Sequence, residues 1–211
     1  MTSDMTAAIG RYVNGKIIAL QRGFLAENPA ARATLARLRA DIDGRGTNWM
    51  DIGNDLYGDW PTESLGDPGR NPRAVAAVST ALGLYALHQQ SKTTPVAQTD
   101  TQETRSISFG AACRRIVADT GAPMDDDAAK GVVRRLSAAE SAPTFDGVVW
   151  FLRALIMLMR ASKRNISLDY RQFAQDLYLL QIPEYADQVF QRWSCDFYYR
   201  PAPNKTARQA R

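Results

Sequence analysis

The chain has 211 residues, 45% hydrophobic and 23% charged, with a formal net charge of +4. That is enough for one large domain or two small ones, and the mild cationic excess points toward an anionic partner. A single histidine and two distant cysteines without a CxxC leave little for metal or nucleophilic chemistry, and no stretch approaches the ~20 apolar residues that span a bilayer.

The N-terminus has no apolar signal core, so a cytoplasmic protein is expected. A first helix is predicted over about 11–26, where Val13, Ile17, Leu20 and Phe24 repeat at helical spacing. A second starts at Asn28-Pro29, a cap followed by proline at the first helical position, with Ala31, Leu35 and Leu38 on its apolar side. From Asp43 to Arg70 glycines and prolines interrupt any long helix. An ordered loop holding one short helix is expected there, anchored by Trp49, Leu56, Tyr57 and Trp60. A third clear helix begins at Asn71-Pro72, with Val75, Val78, Leu82 and Tyr85 on its buried side. The polar run Gln89–Glu103 reads as a flexible connection.

Five more helices follow, over about 108–119, 125–141, 144–162, 169–180 and 183–198. Asp169 with Gln172 three residues on forms a variant capping box, and Leu168 with Phe173 a hydrophobic staple. No segment alternates with period two. The expected fold is all-α: two small helical bundles, 1–104 and 105–200, joined by that flexible connection, then a disordered basic tail, 201–211.

The second half carries its cations in groups. Arg114-Arg115 and Arg134-Arg135 are adjacent pairs. Arg153, Arg160 and Arg164 are spaced by seven and four, which at about 100° per residue returns to nearly one side. If the helix reaches Arg164 they form one basic stripe, and Lys163 belongs to the same group of cations. Such a stripe is the footprint of a phosphate backbone, and the planar guanidinium suits it. In the first half, Arg32 and Arg39 share one flank of the second helix, with Arg37 on the other. Arg37 and Arg73 are expected to face water or pair with nearby acids.

Catalysis finds few candidates. His88 lies near the end of the third helix, where a favourable dipole contact is the simpler role than general base. Asp125-Asp126-Asp127 opens a helix, where carboxylates are stabilised, although a magnesium site would also use such a run. Cys113 falls on an apolar side and reads as a small buried hydrophobe. Trp193 and Phe197, at i and i+4, read as core rather than as base-stacking platforms. Asp196 between them is a candidate to hold an arginine, Arg192 or one on a neighbouring helix. No catalytic residue, metal site or cofactor is expected.

The order and spacing of four segments resemble the CasB family, the small subunit of the type I-E CRISPR interference complex, Cascade. They are FGAACRRI (Phe109–Ile116), VVRRL (Val132–Leu136), WFLRALIMLMRASKRNISLDYRQFAQDL (Trp150–Leu177) and RWSCDFYYR (Arg192–Arg200). ARATLARLRA (Ala31–Ala40) and LYALHQQ (Leu84–Gln90) add weaker similarity. The resemblance implies an all-helical, non-enzymatic subunit that pairs with a second copy inside Cascade. It would lie along guide RNA and target DNA and stabilise the R-loop through non-specific backbone contacts. The corresponding nucleic-acid-binding set is Arg32, Arg39, Arg114, Arg115, Arg134, Arg135, Arg153, Arg160, Lys163 and Arg164. Two other readings stand beside it: a structural adaptor whose cations dock on acidic partner surfaces, and a metal-dependent enzyme using Asp125–Asp127.

Overall fold

The structure is a computed structural model that describes residues 2–42, 48–98, 106–119 and 127–199. Among these residues it holds α1 (Thr2–Leu25), α2 (Pro29–Ile42), α3 (Trp49–Tyr57), α4 (Thr62–Leu65), α5 (Pro72–Gln89), α6 (Phe109–Asp119), α7 (Asp127–Glu140), α8 (Phe145–Ala161), α9 (Tyr170–Leu179) and α10 (Pro183–Tyr198), plus a 3-10 turn at Pro68–Arg70. They contain no strand, only an isolated parallel bridge between Ala97 and Leu168. The all-α expectation holds.

Local chemistry places the helix starts. Asn28 accepts from the amide of Ala30 at 2.8 Å, and Asn71 accepts from that of Ala74 at 3.2 Å, each just before a proline. Thr144 and Asp169 accept from the amides three residues on. The capping box at Asp169 forms only by half. The Asp169 amide donates to the Ile107 carbonyl at 2.9 Å, and the Gln172 side chain instead receives the Ser106 hydroxyl at 2.9 Å. The staple residues Leu168 and Phe173 are both buried.

Three differences from the sequence-based expectation have physical causes. α1 begins at Thr2 rather than near Arg11, because Ala8 and Ile9 bury and Met5 packs on the core. The segment before Arg70 forms α3, α4 and the 3-10 turn instead of one short helix; residues 43–47 of it lie outside the described residues. Leu56 and Trp60 anchor it, with the Tyr12 hydroxyl donating to the Leu56 carbonyl at 2.6 Å, while Trp49 and Tyr57 stay partly exposed. The polar run after α5 is not loose where it is described. Gln89 and Val96 are fully buried, Gln21 of α1 bonds both the amide and the carbonyl of Ala97, and Leu168 bonds Val96 and Gln98. Buried backbone must find partners, and two glutamines supply them. Residues 99–105 of that run and the tail 201–211 lie outside the described residues.

α5 is the central helix, buried from Ala77 through Gln89. α9 packs on both α1 and α5, α8 packs on α5, and α6 packs on α10. The buried side chains of both halves therefore form one continuous core. Its aromatic centre stacks Phe109 on Phe173 at 4.8 Å, with Trp193 4.7 Å from Phe109 and Tyr170 edge-on to Tyr85 at 5.4 Å. Offset and edge-on arrangements of this kind suit the ring quadrupoles.

Candidate nucleic-acid interface

The grouped cations occupy distinct settings. On α6, Arg114 and Arg115 line a cleft of about 140 Å³ with Ser106, Ser108, Asp196 and Tyr199. Arg114 donates to the Tyr199 carbonyl at 3.0 Å. Asp196 accepts the Ser108 hydroxyl at 2.5 Å. Arg115 makes no salt bridge to a described carboxylate. Partial burial and the neighbouring Arg114 charge both lower its pKa. Two guanidiniums held side by side at a polar cleft repel each other, and an anion there would relieve that repulsion.

On α7 the Arg134 and Arg135 guanidiniums fold back onto their own helix, bonding the carbonyls of Lys130 at 3.3 Å and Gly131 at 2.8 Å. Arg134 is exposed and Arg135 half-buried. On α2, exposed Arg32 pairs with Glu27 at 3.1 Å, and Arg39 is half-buried. Arg37 pairs with Asp55 at 2.8 Å, as expected of it.

The stripe on α8 is shorter than its spacing implied. α8 ends at Ala161, capped by Ser162, so Lys163 and Arg164 sit exposed beyond the helix. Arg153 and Arg160 remain on it, both half-buried toward α5. Arg153 lines a groove with Ser79 and Thr80, and Arg160 bonds the side-chain oxygen of Gln90. Beside it Lys92 donates to the Ser162 carbonyl at 3.2 Å, so cations gather where α5 and α8 end. Carbonyls at helix C-termini favour that placement.

His88 differs from its expected role. It is fully buried, with Nδ1 3.1 Å from the Tyr170 hydroxyl, and burial, reinforced by Lys92 and Arg160, pushes its pKa down to about 3. A neutral core imidazole makes no cation–dipole contact. Asp127 opens α7 and pairs with Lys130 at 3.6 Å, whereas Asp125 and Asp126 lie outside the described residues. Cys113 is buried in the core.

The arginine at the C-terminal helix is held by a residue whose role the sequence did not signal. Asp176 of α9 pairs with Arg192 and accepts the Trp193 indole N–H at 2.8 Å. Burial pushes its pKa up to about 7, against Arg192 and the indole, with Asp169 and Asp196 adding to the rise. Asp196, expected to hold an arginine, takes Ser108 instead. Ser106 and Ser108 complete the Arg114–Arg115 cleft from just before α6, where the Ser108 hydroxyl accepts from the Ala111 amide at 3.2 Å, and Tyr199 comes from a position distant in sequence that no local spacing marks.

A protein-family model described as CRISPR-associated protein Cse2 matches residues 31–198. The crystal structure of CasB from Thermobifida fusca is similar with a TM-score of 0.70 and 31% identity, over 91% of this chain and 98% of that one. That of M. ruber CasB is similar in fold, with a TM-score of 0.50 and 18% identity, over 79% of this chain and 83% of that one. No curated protein matches the chain.

Proposed function

The chain belongs to the CasB (Cse2) family of CRISPR-associated proteins, and on that premise we propose that it is a non-catalytic Cascade subunit that grips nucleic-acid backbone and stabilises the R-loop in antiviral defence. The observation that carries the reading is the Arg114–Arg115 pair: adjacent guanidiniums at a polar cleft, Arg115 without a described carboxylate partner. Arg134, Lys163 and Arg164 are exposed and belong to the same proposed set, with exposed Arg32 and half-buried Arg39, Arg135, Arg153 and Arg160.

R-loop formation exchanges one duplex for another of similar stability, so modest backbone contacts tip it. A subunit that holds phosphates without reading bases suits this, because base pairing carries the sequence information. In this reading the subunit works in the cytoplasm beside a second copy of itself, on guide RNA and target DNA. His88, buried against the Tyr170 hydroxyl, is a core residue in this reading.

The test is a salt titration of target binding by the guide-loaded complex, with the wild-type chain and with Arg114→Ala/Arg115→Ala. Losing two phosphate contacts on duplex DNA should make the slope of log K against log salt shallower by about 1.8. An unchanged slope at normal assembly would remove this pair from the interface and favour the adaptor reading.

A further inference from the structure

The Arg114–Arg115 cleft has an acid in its wall. Asp196 of α10 lines it together with the two arginines, and the rest of the described lining is uncharged. Asp196 nevertheless forms no salt bridge with a described cation. It accepts the Ser108 hydroxyl at 2.5 Å, and the Ser108 oxygen in turn accepts the Ala111 amide of α6 at 3.2 Å. The carboxylate is thereby drawn toward the start of α6, an end of a helix that favours negative charge. Ser108 is only 5% exposed, so little water competes for this chain of bonds.

The arginines are engaged differently. Arg114 donates to the Tyr199 carbonyl at 3.0 Å, and Arg115 has no described carboxylate partner. A phosphate entering the cleft therefore meets two guanidiniums and one carboxylate. Asp196 cancels neither cation by contact, yet its charge opposes the phosphate across a cleft of about 140 Å³. An acid so placed weakens the grip without blocking it. A clamp that reads no bases strengthens every duplex alike, and a limited grip leaves discrimination to base pairing.

We propose that Asp196, held off the arginines by Ser108, moderates the grip of the Arg114–Arg115 cleft on nucleic-acid phosphate. This role rests on the proposed binding of phosphate at the cleft and adds to it a residue that acts in the opposite direction. Asp196 is a positioning and strength-setting residue, because it acts on the phosphate through space rather than by a bond.

The test is target-DNA binding by the guide-loaded complex across a salt series, with the wild-type chain, Asp196→Asn, Ser108→Ala, Ser108→Ala/Asp196→Asn and Arg114→Ala/Arg115→Ala. Asparagine keeps an oxygen that accepts the Ser108 hydroxyl and removes only the charge. Asp196→Asn should bind about threefold more tightly at ~50 mM salt, with the gain shrinking toward ~200 mM as the charges are screened. A residue that merely supports the start of α6 predicts unchanged or weaker binding, and either result overturns the proposal, as does failure of Asp196→Asn to assemble. The Ser108→Ala background supplies a second measurement, since the double variant should bind more tightly than Ser108→Ala alone. A double variant no tighter than Ser108→Ala also overturns it. The arginine variant separates this role from the reading beneath it. If Arg114→Ala/Arg115→Ala weakens binding while Asp196→Asn does not strengthen it, only the role of Asp196 falls; if the arginine variant binds as wild type, the cleft is not on nucleic acid and both fall.

Discussion

At the scale of single residues, the buried carboxylate of Asp176 governs the C-terminal helix. It ties α9 to α10 through Arg192 and the Trp193 indole, and burial holds its proton up to about pH 7. In the unfolded chain an aspartate releases that proton near pH ~4. Between those limits the folded state binds more protons than the unfolded one, so this residue's contribution to stability falls as pH rises through the window. Denaturant unfolding at about pH 5 and about pH 8 should show the wild-type chain losing stability toward the higher pH and Asp176→Asn losing less. An identical difference in both chains would mean that Asp176 is ionised throughout. Caps such as Asn28, Asn71 and Asp169 were legible in the sequence, because a capping bond reaches only two or three residues. The Asp176–Arg192 pair was not, since its partners stand on different helices. The position of Asp196 beside Trp193 pointed to the wrong carboxylate for the same reason.

At the scale of elements, close helix crossings depend on glycines. A Cβ at Gly110 would lie 2.1 Å from the Trp193 carbonyl oxygen, so α6 and α10 touch backbone to backbone. Gly110→Ala must push the helices apart and should cost at least about 2 kcal/mol, as overpacking does. At Gly15 of α1 a Cβ would meet nothing within 4 Å, and Gly15→Ala should stabilise the chain by about 1 kcal/mol through helix propensity alone. Thermal melts of the two variants, shifting in opposite directions, check both expectations at once; equal shifts would refute the packing of α6 on α10. Helix identity was readable from apolar spacing across most of the chain, and α10 was bounded as expected at Pro183–Tyr198. The extent of α8 was not. Repeating arginines continue past Ala161, whereas the helix stops there and Arg153 and Arg160 turn toward α5. Periodicity shows which residues share a side, and only a packed neighbour shows whether that side faces water.

At the scale of the whole molecule, the two halves share a core. α9 lies on α1 and α5, and Gln21, Val96, Ala97 and Leu168 join segments far apart in the chain. Segments with a common core unfold together. Circular dichroism and tryptophan fluorescence should therefore report one coincident transition, with Trp60 in the first half and Trp193 in the second as probes. Two separated transitions would show that the halves fold independently on either side of residue 104. By itself the sequence determined the all-helical class, the starts of the helices that open on a capping Asn or Asp, and the family, because caps, apolar spacing and motif order are properties of neighbouring residues. Only the tertiary structure decided how Arg32, Arg114, Arg135 and Arg160 are engaged within the chain, what Asp176 holds, and that Trp49 and Trp150 line one groove. Those outcomes depend on contacts between helices distant in sequence, where burial and charge pairing are settled by packing.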